Sequence, residues 1–330
     1  MHRFPISRRG ILSAGLAASM LPASRIAFAS GLPQARIVIG FPPGGMPDTI
    51  SRRISEYLST RHAGAVTVDN RAGAGGQIAI QSLKGTPADG SVILLSPGSM
   101  LSIYPHTYKK LAYDPVADLT PVAQIGSAIP ALAVGPQVPA SVTDVRSFVQ
   151  WVKANPALAS YGSPAPGSML HFAGLMFAKE GGFELQHVPY RGTQPALLDL
   201  MAGRLPAVIS TQGEFLTQRK AGNLRVLGVA SAKRTAALPD VVTFAEQGFP
   251  SVVAADYIGF YLPAGAPKAV VDSLHANLQA AVATAPLKRA LEDTGIEPIF
   301  STPEQLGQLV RSELARWAPI VKASGFTADS

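Results

Sequence analysis

Short runs rich in valine and isoleucine alternate with longer segments of helical period along most of the chain. This alternation is typical of mostly parallel sheets that are covered by helices, and it predicts an α/β fold. We predict strands at residues 36–41, 66–69, 92–96, 131–134, 184–188, 207–210, 225–230 and 257–262. We predict helices at residues 48–60, 142–155, 168–180, 195–202, 268–284, 287–294 and 303–324.

The first 29 residues have the order of a cleavable export signal. Arg8 and Arg9 precede a modestly apolar run, and small residues at 27–29 follow it. The run is shorter than the roughly 20 residues that a spanning helix needs. We therefore expect a twin-arginine signal peptide at residues 1–29 and a periplasmic mature protein that is not inserted in the membrane.

Composition excludes several kinds of chemistry. Removal of the predicted leader takes away four arginines and no acid, so the formal charge falls from +7 to +3. No block of basic residues interleaved with aromatics remains, so we expect no nucleic-acid partner. The absence of cysteine excludes disulfides, iron–sulfur clusters and thiol chemistry. We expect no cofactor, and stability must come from a hydrophobic core.

The hydrophobic fraction of 47% and the length after the leader suit two domains rather than one. No long linker separates two halves, which indicates that the domains are interleaved. We expect residues 30–125 and 257–330 to form domain 1 and residues 126–256 to form domain 2. The chain would then cross between the two domains at two neighbouring places, and these crossings would form a hinge. A cleft between two domains is a common ligand site.

The loop at residues 40–48 ends a buried strand and opens a helix. Prolines such as Pro43 stiffen it, while Gly44 and Gly45 let a ligand approach the main chain. Backbone N–H groups at a helix start point toward an anion, and Asp48 is interpreted as the helix cap. An ordinary strand-to-helix turn with a capping aspartate explains the same residues.

A second glycine-rich loop, at residues 69–77, includes Ala74, Gly75 and Gly76. Its spacing does not match the dinucleotide-binding G-x-G-x-x-G pattern, and no lysine follows as a phosphate-binding loop requires. We therefore interpret it as a main-chain cradle for a carboxylate.

Two further loops of this kind lie in the predicted second domain. Ser163 and Ser168 place hydroxyl groups before a helix, either to donate to a carboxylate or to cap that helix. Arg191, Gly192 and Thr193 follow the next strand, and the arginine either binds an anion or forms a surface ion pair. Because open α/β sheets bind ligands outside the carboxyl ends of their strands, the four loops together predict one anion site.

A family resemblance rests on several segments that occur in order over nearly the whole chain after the leader. They lie at residues 41–48, 70–76, 88–90, 113–115, 188–192 and 238–241. In these segments the chain resembles the Bug proteins, the TctC-like solute-binding components of tripartite tricarboxylate transporters. The resemblance implies a type II periplasmic-binding-protein fold that closes like a Venus flytrap. It also implies that a carboxylate, amino acid or aromatic acid is delivered to the permease subunits of a transporter, and we expect a monomer.

The chain departs from the family pattern at several positions. Met46 and Pro47 replace a Ser-Thr pair that is frequent in the first loop, which removes a hydroxyl donor and an N–H group. Gln212, Asp256 and Tyr257 stand where other residues are usual. Because of these departures, the three residues are candidates for contacting the far end of an unusual solute, away from its carboxylate.

Two other functions compete with transport. The sequence has no H-E-x-x-H or G-x-S-x-G motif, and its histidines, His171 among them, are scattered without ligand spacing. We interpret His171 as a packed or capping group. A periplasmic hydrolase would need a nucleophile bonded to a base, so we expect a binding protein and not an enzyme. A binding protein that reports to a sensor shares all of these features.

Overall fold

The computed structural model describes residues 31–328, and the predicted leader lies outside them. The strands are β1 Gln34–Ile39, β2 Ala65–Asn70, β3 Val92–Pro97, β4 Leu119–Ala128, β5 Pro130–Val134, β6 Ser160–Pro164, β7 Gln186–Tyr190, β8 Ala207–Thr211, β9 Arg225–Val229, β10 Asp256–Pro263 and β11 Ile296–Pro298. The α-helices are α1 Met46–Leu58, α2 Gln77–Gln81, α3 Ser99–Ser102, α4 Tyr104–Thr107, α5 Val145–Ala154, α6 Met169–Gly181, α7 Thr193–Met201, α8 Leu216–Lys220, α9 Lys268–Val282, α10 Ala285–Asp293 and α11 Pro303–Ser324.

Two sheets organise two lobes. The first has the order β11-β4-β10-β3-β1-β2, and the second has the order β7-β6-β8-β5-β9. Both faces of each sheet are covered, so successive residues of a central strand are all buried. In β1, Ile37 and Ile39 pack into one cluster and Val38 packs into the cluster on the opposite face. Full burial explains why this strand is a continuous apolar run.

The chain crosses between the lobes at two adjacent places. β4 ends at Ala128 in the first sheet, and β5 begins at Pro130 in the second. The return crossing ends at Asp256, which opens β10 and pairs with Ala128. Because β10 runs antiparallel to β3, and β5 runs antiparallel to β8, both crossings lie at the carboxyl ends of the parallel strands. The carboxyl edges of the two sheets therefore face each other, and we call the space between them the interlobe cleft.

Helix α11 connects the two lobes by packing. Leu306 and Val310 lie in the core of the first lobe, whereas Trp317 and Val321 lie in the core of the second. The Trp317 ring meets Phe172 of α6 at 5.5 Å between centroids. The predicted division assigned all of residues 257–330 to the first lobe, whereas the last turns of α11 pack with the second.

Local signals located some elements well and missed others. The predicted start of α11 is confirmed, since the Thr302 hydroxyl accepts a hydrogen bond from the Gln305 N–H at 3.2 Å and the Gln305 side-chain oxygen accepts one from the Thr302 N–H at 2.9 Å. Strands β4 and β6 were not predicted, because their sequences contain Gly, Ser, Gln and Pro rather than an apolar run. Among the described residues, no helix has the length and apolar character required to cross a bilayer.

Candidate functional site

The loop after β1 is organised around Asp48. Its buried carboxylate accepts hydrogen bonds from the Gly44 N–H at 3.0 Å, from two Arg52 nitrogens at 2.9 Å and from the Asn70 amide at 2.9 Å. Burial alone would raise the pKa of Asp48, but these donors hold it below its usual value. The cap position of α1 is Gly45, so the interpretation of Asp48 as the cap was wrong. Asp48 lies inside the helix and holds the loop together.

The two glycine loops of the first lobe touch each other. A Cβ atom on Gly40 would lie 2.5 Å from the Gly76 Cα, and the Asn70 amide donates to the Phe41 carbonyl at 3.1 Å. Gly45 and Met46 carry the first N–H groups of α1, which have no partner inside a helix. The paired loops therefore present main-chain donors at the carboxyl edge of the first sheet.

The second glycine loop has an uncommon backbone. Gly73, Ala74, Gly75 and Gly76 all have positive φ angles, of 140°, 46°, 64° and 96°. Successive backbone N–H groups in such conformations can form concave sites for anions. At Gly76 a side chain is also excluded sterically, since a Cβ would lie 2.3 Å from the Met100 Cε. The positive φ of Ala74 is a strained conformation of the kind that clusters at ligand sites.

The loop at residues 163–168 of the second lobe has a similar character. Ala165 has a positive φ of 53°, although it is not a glycine. Ser163 is fully buried, and its Oγ lies 2.8 Å from Nε2 of His187. Ser168 occupies the cap position of α6 without a side-chain capping bond, and its hydroxyl donates to the Pro164 carbonyl at 3.3 Å.

The remaining loop of the second lobe is open to its surroundings. Gly192 caps α7 with a φ of 103°, and no atom would lie within 4 Å of a Cβ placed there. Thr193 shares a hydrogen bond of 2.7 Å with the buried hydroxyl of Ser210. Arg191 is exposed and has no hydrogen bond or ion pair within residues 31–328. An unpaired guanidinium beside an open helix start attracts anions.

Two of the residues predicted to contact the far end of the solute, Gln212 and Asp256, instead form hydrogen bonds that link the lobes. The Gln212 amide donates to the Gly295 carbonyl at 2.8 Å and accepts from the Thr235 hydroxyl at 2.6 Å, so both of its ends are used. Asp256 accepts hydrogen bonds from the N–H of Ser99 at 2.8 Å and from the hydroxyl of Ser99. The same hydroxyl accepts from the N–H of Met169, the first residue of α6, at 3.0 Å.

Tyr257 is the third residue predicted to contact the far end of the solute, and it lies in the core of the first lobe. It is only 4% exposed, and its ring packs against the backbone of Gly98. Burial raises the pKa of its phenol far above the usual value. Its side chain therefore supports the strand ends from behind rather than facing the cleft.

A groove of about 330 Å³ opens between the lobes at the first glycine loop. It is lined from both lobes by Gly44, Met46, Thr49, Gln194, Leu197, Gly213, Glu214, Thr217, Gln218, Asp293 and Thr294. These include two carboxylates and neither lysine nor arginine. The Gln194 amide donates to Glu214 at 3.0 Å, and burial raises the pKa of Glu214. Sequence patterns gave no signal for Glu214, because it becomes part of the groove only when the lobes meet.

The described residues hold no cluster of three or more histidine or acidic side chains that could bind a metal ion.

The predicted site residues fall into two groups. Main-chain groups and hydroxyls of the four loops gather at the facing edges of the sheets. Asp48, Gln212, Asp256 and Tyr257 are engaged in structural contacts behind or between them.

Comparisons with known proteins bear on the family of this chain. Residues 50–326 match the model of the tripartite tricarboxylate transporter family receptor, TctC. A UPF0065 protein from the tcbD-tcbE intergenic region of a Pseudomonas species is 34% identical, with 96% of this chain and 94% of the relative covered. BugT of Bordetella pertussis is 30% identical, with 88% and 89% covered.

Solved structures confirm the predicted two-lobed binding-protein fold. R. palustris Rpa4515 with adipate has 32% identity and a TM-score of 0.83, over 89% of this chain and 98% of that one. MatC of Rhodopseudomonas palustris with bound malate has 26% identity and a TM-score of 0.79, over 87% and 98%. With these structural matches and a family match over most of its length, the chain belongs to the tripartite tricarboxylate transporter receptor family of TctC and Bug proteins.

Proposed function

We propose that this protein captures a small carboxylated solute in the interlobe cleft and delivers it to the permease subunits of a tripartite transporter. The observation that carries the proposal is the position of the loops at the carboxyl edges of the two sheets. These loops are glycine-rich or have a strained backbone, and they face each other across the interlobe cleft, beside the two places where the chain crosses between the lobes. Relatives of the same fold were solved with adipate and malate.

The solute carboxylate would be held mainly by the main chain. Gly45, the loop at 74–76 and Gly192 offer N–H groups at helix starts or in positive-φ turns, where anions are favoured. At the start of α6 the Met169 N–H is bonded to Ser99, so the groups that follow it in the first turn would serve. Arg191 would add charge at the rim. Asp48, Gln212, Asp256 and Tyr257 keep their structural contacts and act on the solute only indirectly.

The groove at Gly44 favours a solute whose far end is neutral or cationic. Glu214 and Asp293 line this groove, whereas Arg53 and Arg289 lie with Asp293 at a neighbouring pocket and do not line it. Two unit charges 4 Å apart interact by about 4 kcal/mol at the effective dielectric of a protein surface, so a second carboxylate there would be repelled. An amino acid or a monocarboxylate fits this groove better than a dicarboxylate does.

A hydrolase gains one supporting observation and lacks the others. Ser163 and His187 lie within hydrogen-bond distance, as a nucleophile and base would. Ser163 is fully buried, however, and no aspartate or glutamate of residues 31–328 bonds to His187 to orient it. Membership of a solute-binding family favours capture over turnover.

Export and assembly complete the proposal. Proteins of this family are periplasmic binding proteins. We propose that the twin-arginine segment at residues 1–29, which lies outside the described residues, directs this chain to the periplasm and is removed there. The mature protein would act as a monomer and meet its permease at the membrane. A sensor partner would require the same closure of the lobes.

A thermal-shift panel tests the binding function. It would contain monocarboxylates, dicarboxylates, tricarboxylates, aromatic acids and amino acids at about pH 7. A true ligand at 100 times its dissociation constant should add about 2.7 kcal/mol of stability. No shift with any member of the panel would refute carboxylate binding, and a dicarboxylate as the best ligand would refute the role of the acidic groove.

Two substitutions test the placement of the site. Gly45→Val should block the main-chain cradle without disturbing the fold, since a Cβ there meets only the Pro47 ring at 3.8 Å. Thr193→Ala should weaken binding by about tenfold through the loss of one hydroxyl hydrogen bond. Gly31→Val, where nothing lies within 4 Å, is the matched control. Unchanged affinity in both site variants would place the solute elsewhere.

A further inference from the structure

The loop at residues 163–168 rests on two stacked histidines. The rings of His171 and His187 lie 4.0 Å apart between centroids, with 24° between their planes. His187 reaches the Ser163 hydroxyl at 2.8 Å, at the start of the loop. His171 accepts a hydrogen bond on Nδ1 from the Gly167 N–H at 3.1 Å, near the loop's end. Each end of the loop is therefore attached to one imidazole.

This pair is fixed from several sides. The Tyr161 hydroxyl donates to the His171 carbonyl at 2.8 Å, and the Tyr161 ring lies 5.1 Å from the ring of His187. Phe326, from the chain after α11, packs its edge against His171 at 4.5 Å. Such contacts lock the rotamers of both histidines, as the supporting groups of a binding site require.

The hydrogen bond from Gly167 determines the protonation of His171. Because Nδ1 of His171 accepts from Gly167, that nitrogen carries no proton and the ring is neutral. Burial favours neutral rings at both positions. The contact of 2.8 Å between the Ser163 hydroxyl and Nε2 of His187 forms with either neutral tautomer of His187.

We propose that His171 and His187 are positioning residues for solute binding, which hold the two ends of the loop at residues 163–168 so that its backbone keeps the conformation that binds the solute carboxylate. The inference rests on the proposed function of this cleft. It explains how the strained φ of 53° at Ala165 is maintained between the two attachment points. Neither histidine contacts the solute, and both act through the loop.

Paired substitutions separate positioning from general stability. A glutamine at 187 can place its amide near the former Nε2, and an asparagine at 171 can place its oxygen near the former Nδ1. We expect His187→Leu and His171→Leu to weaken affinity about tenfold for whichever acid of the panel binds the wild type most tightly. We expect His187→Gln and His171→Asn to stay within about threefold of the wild type. His62→Leu, which removes a hydrogen bond of 2.8 Å between a buried histidine and the Gly90 carbonyl before the amino end of β3, is the matched control.

Two further measurements make the outcome decisive. Ser163→Ala combined with His187→Leu should bind no more weakly than either single variant, because both remove the same interaction. In the absence of solute, hydrogen exchange of the Gly167 amide should be at least tenfold faster in His171→Leu than in the His62 control. Wild-type affinity in both leucine variants, or unchanged exchange at Gly167, would overturn the inference. A wild-type protein that binds no acid of the panel would instead refute the proposed function.

Discussion

Acidification should destabilise this fold through the two stacked histidines. Burial lowers the pKa of His171 from 6.5 to about 3 and that of His187 to about 4. In the unfolded chain both rings return to the ordinary value and bind protons below pH 6.5. The unfolded state then carries more protons than the folded state, so stability present above pH 6.5 is lost as the pH falls toward 4.

The magnitude follows from linkage. Each histidine removes about 1.4 kcal/mol per pH unit in this window, so the pair removes about 5 kcal/mol between pH 6.5 and 4.5. Asp256 acts in the opposite direction, because burial raises its pKa from 3.8 to about 6 and its folded form binds a proton first. Asp256 therefore raises the free energy of unfolding by about 2 kcal/mol between pH 6 and 4.5. The net loss of stability is then about 3 kcal/mol. Many domains have a total stability of only about 5–15 kcal/mol.

Urea unfolding followed by tryptophan fluorescence at about pH 7, 6, 5 and 4.5 measures this loss. The double variant His171→Asn and His187→Gln removes both titrating rings while keeping groups that can make their hydrogen bonds. Its stability should change with pH by at least about 2 kcal/mol less than that of the wild type over the same range. The reasoning would be refuted if the stability of the two proteins depended equally on pH. It would also be refuted if the NMR resonances of His171 and His187 titrated near pH 6.5.

Two other predictions concern the cleft. Gly76→Ala should destabilise the protein by about 2–3 kcal/mol, because a Cβ at φ 96° would meet Met100, whereas Gly44→Ala, at φ 91° in open space, should cost only about 1 kcal/mol. Equal losses in urea unfolding would contradict the steric part of this argument. Ser99→Ala should cost about 1–3 kcal/mol, because it removes the hydroxyl that bonds Asp256 and the second lobe. Small-angle scattering should also show a more open ligand-free protein, and an unchanged profile with unchanged stability would exclude this bridge.

Much of the fold could be predicted from local sequence. Buried parallel strands such as β1 and β3 are continuous apolar runs because both of their faces are covered. Helix α11 begins where predicted because its capping residues, Thr302 and Gln305, interact over only three positions. Strand β6, Ser160–Pro164, was missed because its small and polar residues are stabilised by neighbouring strands rather than by their own propensity.

The sequence alone also predicted where a ligand site should lie. Glycines, prolines and small hydroxyl residues at the ends of successive strands place flexible or donor-rich backbone at one edge of each sheet. This inference needs only the α/β order and the geometry of parallel strands. It holds whatever partners the individual side chains find.

The tertiary structure alone decided which side chains are free. The Gln212 amide is taken by Gly295, 83 positions away, and the carboxylate of Asp256 is taken by Ser99, 157 positions away. A buried polar group must find a hydrogen-bond partner, and no local pattern indicates a partner so distant in the chain. For the same reason, the pairing of His171 with His187 and the acidic groove at Glu214 exist only because two interleaved lobes bring separate strand ends together.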